Sequence, residues 1–480
     1  IDLAGDLVTT GSAGIEGTNG GVGSAGGAVI FNLTGTNQSL TITDLNTDGG
    51  VAAVGSGAVG GEAGALNLNL GGSTAIVLDN STISAAGGTG DGAASQGAGT
   101  DLIFTHDVTL RGVSASISTG STQGDVIFYG ALDGAAALST TTGTGSTIFT
   151  DVVGGVSALT SLDVADATQI NGNPIITGSA ITTSGAQTYG GPITLGENAV
   201  LTATGLSAGD VALGSYNLNI AEAGVGATAG SVSGVISGTG SLTKSGTGIV
   251  ELAGANTYSG VTTISAGAVA VSSSLSNLTQ VGITSGATYR VDASDTVGSI
   301  EGAGNITTGA ASGTVVLTVD MDTSLAKTYS GEMSDGVNAN LEFVKTGAGS
   351  LTLSAANTYT GTTTVSAGTL ALGADDLLVN TGSLVVSGGT FDLGTFSNTV
   401  ASVQLTGGTI SNGTLTSTSA FDVQAGTVSA ALAGGVGLNK TTAGTVTLSG
   451  TNTYTGTTTV SDGTLALGAS DVMADSAAVT

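Results

Sequence analysis

The chain has 480 residues, with 84 Gly, 2 Pro, no Cys and no Trp, and only 8% of its residues are charged. Its 34 acids against 6 bases give a formal net charge of −28, so no basic patch can form, and neither nucleic acid nor an anionic membrane surface is an expected partner. An apolar fraction of 40% and a mean hydropathy of +0.40 argue against a Gly-rich open coil, and the absence of Cys excludes disulfides and thiolate chemistry without fixing the compartment.

No apolar run reaches the length of a membrane-spanning helix, and no signal peptide is visible. The chain starts at Ile1 and stops at Thr480 in an Ala-rich stretch, so both ends are expected to be cut or processed from something longer.

Residues 1–100 are the richest in Gly and Ala and show the weakest repeat. Here Leu66-Asn67-Leu68-Asn69-Leu70 alternates as a half-buried strand does, while Gly20–Gly27 and Gly87–Gly99 read as loops. Residues 101–230 follow another pattern, with short alternating runs such as Leu218-Asn219-Ile220 between Gly, Asn, Asp and Ser clusters. From 231 to 480 one motif dominates, with copies near 240–271, 339–376 and 436–471 that align without gaps.

Within each copy two apolar pairs recur nineteen residues apart: Val250/Leu252 with Val269/Val271, Leu351/Leu353 with Leu370/Leu372, and Val446/Leu448 with Leu465/Leu467. A fixed offset between inward-facing pairs is what a coil of constant circumference needs, each strand lying about 4.8 Å from its equivalent in the previous coil. Val365, Leu341 and Phe343 supply further core positions. The expected fold is all-β, a parallel β-helix (β-solenoid). About 20 coils would form one continuous elongated rod on the order of 100 Å long, with changes of repeat type rather than separately folding domains.

The segments ending Asn256-Thr257-Tyr258-Ser259-Gly260, Asn357-Thr358-Tyr359-Thr360-Gly361 and Asn452-Thr453-Tyr454-Thr455-Gly456 resemble the autotransporter-associated β-strand repeat over about a quarter of the chain. The third departs slightly, with Thr442-Ala443 ahead of Gly444. The stretch from Ile181 to Thr204 resembles repeats of filamentous-haemagglutinin-like adhesins. The resemblance implies a right-handed β-helical passenger, secreted through outer-membrane machinery to the cell surface or beyond it. It marks export and architecture well and the binding target poorly.

The chemistry-bearing candidates of the repeat are Lys244, Lys345 and Lys440, with Asn256/Tyr258, Asn357/Tyr359 and Asn452/Tyr454. The lysines could contact sugars or form isopeptide bonds; they read better as corner residues whose stems lie on the core while their heads reach water. The Asn–Tyr pairs could contact carbohydrate; they read better as a turn Asn and a half-buried Tyr closing the loop. The runs Thr362–Thr364 and Thr457–Thr459 are too sparse for a flat Thr array and read as surface strand. His106, the single His, reads as an exposed strand residue.

No cofactor is expected: acidic loops at Asp91 and Asp375-Asp376 carry no EF-hand pattern or calcium-binding repeat. Parallel β-helices include polysaccharide-acting enzymes that use carboxylate clusters, so Asp375-Asp376, Asp320/Asp322 and Asp292/Asp295 with Arg290 are the catalytic candidates against which no enzyme is weighed. The favoured reading is a structural adhesin mediating attachment or matrix formation, with a host or neighbouring-cell surface, or glycans, as partner. The alternatives are a filament subunit stacking end to end on copies of itself, because uncapped coils present open strand edges, and a polysaccharide-acting enzyme.

Overall fold

Runs of Val, Ile, Leu and Thr three to five residues long cannot bury both faces of a strand, and no single coil of them has a core. They become stable only when each run lies on the next. The computed structural model, which describes residues 2–8, 29–33, 39–49, 60–64, 66–70, 75–88, 96–170, 179–223, 230–473 and 478–480, realises this arrangement: among these residues every regular element is a strand, and the strands pair in parallel with their equivalents one coil away. The expected loop at Gly20–Gly27 and the acid Asp91 lie outside the described residues. No helix is long and apolar enough to cross a membrane among the described residues.

The chain forms two compact units, Ile1–Val250 and Glu251–Thr480. In the first unit, Ile181, Leu201, Ile220 and Lys244 are consecutive partners in one ladder, the first three of them buried aliphatic residues. In another, Phe104, Phe128 and Phe149 stack face to face, with ring centroids 4.9 and 5.5 Å apart and planes within 9° and 7°. Aromatic stacking at this spacing adds to area burial because identical side chains repeat at the rung distance.

In the second unit the nineteen-residue offset is the register itself: Leu351 pairs with Leu370, Leu353 with Leu372, Val446 with Leu465 and Leu448 with Leu467. The alternation buried–intermediate–buried follows the period of two. Ladder steps from Phe343 through Thr363, Leu384 and Val403 reach Phe421, Leu438 and Thr458. The second and third motif copies therefore sit on the same face, five coils apart. The first copy is out of phase with them. Thr262, its counterpart of Thr363, lies in the ladder Thr262–Val281–Ile300, and that sheet continues to Leu351 and Leu370 instead. Longer coils between the copies, such as the step from Leu317 to Phe343, advance the motif by one face.

Candidate functional site

Lys345 occupies an inward-facing position between Val319 and Val365 in a ladder that runs on through Val386 and Leu405. Its side chain is 0% exposed, and the ammonium, expected in water, instead donates to the carbonyls of Thr346 at 2.6 Å, Gly347 at 2.9 Å and Ala367 at 3.4 Å. Lys244 donates likewise to Ser245 and Gly246, at 2.6 and 2.8 Å, and Lys440 to Thr442 and, at 3.0 Å, to Asp462. The long stem fills a core position and the head collects corner carbonyls that the ladder leaves without donors. Gly347 accepts at φ +65, and a Cβ there would stand 2.3 Å from the Met321 carbonyl oxygen, which is why the corner after the Lys takes Gly. Burial pulls the Lys244 and Lys345 ammonium groups down to about 8, opposed in part by Glu222 and Asp320.

The Asn of each copy is buried. Asn357 shows the full pattern: its Oδ1 accepts from the Met333 amide of one neighbouring coil at 2.9 Å. Its Nδ2 donates to Ala355 in its own coil at 3.1 Å and to Leu377 of the other neighbour at 3.0 Å. Asn452 repeats this with Leu432, Gly450 and Val472. Asn256 donates to Gly254 and Ser274. The Asn is thus a clamp joining three coils at a corner, a larger role than a turn residue.

The Tyr two residues on is fully buried rather than half-buried: Tyr258, Tyr359 and Tyr454 are 0%, 2% and 0% exposed. Each hydroxyl shares a hydrogen bond with the Thr four residues later, Thr262 at 2.6 Å, Thr363 at 2.6 Å and Thr458 at 2.7 Å. The middle Thr of each Thr run therefore points inward, which corrects the surface-strand expectation for Thr363 and Thr458. Burial pushes all three Tyr hydroxyls up from their usual range.

The acids have a job that composition did not reveal. Asp101, Asp107, Asp125, Asp133 and Asp210 in the first unit accept backbone amides of an adjacent coil, from Asp125, Ala131, Ser146, Val156 and Val235 at 2.7–3.0 Å. Asp335 and Asp375 do so in the second, from Thr360 and Ser397 at 2.9 and 2.6 Å. At a corner the strand ladder lapses and an N–H loses its carbonyl; a carboxylate one coil away replaces it.

Three acids of the candidate catalytic pairs are taken up by neighbouring groups. Asp292 is salt-bridged to Arg290 at 2.8 Å, and Asp322 caps Ser324 and the Thr323 hydroxyl within its own loop. Asp295 is buried and accepts from Leu275 and Thr296 amides at 3.0 and 2.9 Å and from the Tyr289 hydroxyl at 2.5 Å; desolvation raises its carboxyl to about 6. His106 sits half-exposed in a bend, not a strand, with its Nδ1 2.9 Å from the Thr105 hydroxyl. Among the described residues no group of three or more His, Cys, Asp or Glu is arranged to hold a metal ion.

Residues 242–271, 343–372 and 438–467 match the family model of the passenger-associated transport repeat. These stretches are the Lys–Asn–Tyr–Thr units just described. The three segments are passenger-associated transport repeats. Part of the chain is also 34% identical over 169 residues to the adhesin BmaC autotransporter of Brucella suis biovar 1 (strain 1330); the match takes in 33% of this chain and 5% of that protein, so the chain spans only a small part of its relative's length. No solved structure matches. With its passenger-associated transport repeats the chain is a secreted one, at the cell surface or outside the cell.

Proposed function

We propose that this chain is the shaft of a surface adhesin, a structural element rather than an enzyme, which holds an attaching surface at a distance from the cell that exports it. The observation that carries this reading is how the repeat spends its polar side chains. Lys345, Asn357, Tyr359 and Thr363 each bond within the stack, so the most conspicuous groups of the motif build the shaft. The similarity to an autotransporter named as an adhesin supports attachment as the purpose of that shaft. Its partners are a host or neighbouring-cell surface, and an outer-membrane translocation apparatus brings it there. The excess of acids that cap corners also repels like chains laterally, which favours display as separate shafts.

The test is attachment by the purified chain. Beads coated with the 480-residue chain should adhere to epithelial monolayers well above albumin-coated beads. Equal adhesion of the two, together with release of reducing sugar from pectin or host polysaccharide by the soluble chain, would replace this reading with an enzymatic one.

A further inference from the structure

The coil between Thr363 and Leu384 turns its corner through Gly373–Gly382, and this corner is clamped from both sides. Asn357 holds the Leu377 carbonyl at 3.0 Å; Asn398 accepts from the Leu378 amide at 2.9 Å and donates to its carbonyl at 3.2 Å. The clamps hold Leu377 and Leu378 inward and leave Asp376 in the left-handed region at φ 50, a conformation with a small steric penalty that only a fixed surrounding sustains. Beside it lies a depression of about 380 Å³ lined by Asn357, Asp376, Leu378, Val379, Asn380 and Thr399. That volume falls within the range of small-molecule sites, roughly 300–1,000 Å³.

We propose that this depression binds one end of an uncharged saccharide. The proposal names a partner class for the attachment reading and rests on it. Three polar groups converge there with capacity to spare. Asp376 uses only Oδ1, on the Thr399 amide at 3.3 Å, which leaves Oδ2 without a partner; the Asn380 side chain and the Thr399 hydroxyl have none among the described residues. A carboxylate accepts from a vicinal diol, a carboxamide donates to the neighbouring hydroxyl, and the part-exposed Val379 offers the C–H face of a pyranose an apolar contact. Charge selects against the alternatives. Asp375 lies next to Asp376, both exposed, on a chain of net charge −28, so sialylated or sulfated glycans are repelled.

The test titrates the 480-residue chain with maltotriose, cellotriose, chitotriose and N-acetyllactosamine, with 3′-sialyllactose and calcium chloride alone as comparisons, followed by calorimetry and saturation-transfer NMR. At least one neutral probe should bind. Asn380→Ala and Asp376→Ala should each weaken it about tenfold, the loss of one hydrogen bond to a polar ligand group. Asp471→Ala, at the matching position of the third repeat (φ 56), should leave it unchanged. Asn380 is exposed and unbonded, so its variant folds as the parent does and keeps the test valid if Asp376→Ala is impaired. No binding of any neutral probe, binding indifferent to both substitutions, or binding of sialyllactose or calcium alone would overturn the proposal. Beads carrying Asn380→Ala that attach undiminished would sink this site and leave the adhesive reading standing; failure of parent beads to attach would sink the latter.

Discussion

Tyr359 and Thr363 share one buried hydrogen bond of 2.6 Å across four residues of chain, and the same bond joins Tyr258 to Thr262 and Tyr454 to Thr458. Neither hydroxyl has water to fall back on. Tyr359→Phe or Thr363→Val alone strands the partner and should cost about 1–3 kcal/mol. The double variant removes both polar groups together and should be less destabilised than the sum of the singles by about 1 kcal/mol or more. Denaturant melts of the four chains supply the cycle, and strictly additive losses would refute the coupling.

Asn357→Ala removes three hydrogen bonds to three coils at once. The Met333 amide and the Leu377 carbonyl lose that partner in a buried setting, so a loss of about 2–4 kcal/mol is expected. Because a stacked fold transmits a defect mainly to neighbouring coils, amide exchange should rise first at Met333 and Leu377 and their surroundings. Uniform acceleration along the second unit would contradict this.

Asp295 links stability to pH in the direction opposite to a salt-bridged carboxylate. Its folded value, about 6, lies above the ordinary 3.8, so the fold binds the proton more tightly than the unfolded chain does. Its contribution to stability therefore grows as pH falls from about 6 towards 4, by up to about 2–3 kcal/mol. Comparison with Asp295→Asn isolates this share from the capping acids: the difference in stability between the two chains should vary across that window and be flat above pH 7. A constant difference would show that Asp295 does not titrate there.

Lys345 acts at the other end of the scale. Burial lowers its ammonium to about 8, below the ordinary 10.5, so the unfolded chain holds the proton more tightly and stability rises as pH climbs from about 8 to 10.5. Because the head lies at the rim among corner carbonyls, about 1–2 kcal/mol is expected, less than a fully desolvated charge would give. Lys345→Met keeps the stem's volume between Val319 and Val365 and should lack the alkaline rise in urea melts between pH 7.5 and 10.5.

The stacked-coil plan could be read from residues such as Leu351 and Leu370, because a period of two with a fixed return length leaves few other ways to bury those side chains. The inward Thr was within reach by the same rule: Thr363 stands two before Val365, already assigned to the core, and so must share its face. The sequence determined which apolar residues face inward and the nineteen-residue coil within each repeat, since both depend on spacing along one chain.

Only the tertiary structure decided what meets what across coils. That Lys345 ends on carbonyls rather than in water, that Asn357 clamps Met333 and Leu377, and that Asp101 serves the Asp125 amide all depend on which corner lies one rung away. The one-face shift between the first and second repeats likewise arises from longer coils whose corners no local pattern marks. Hydrogen bonds at corners are set by through-space register, and register accumulates over every loop length before it.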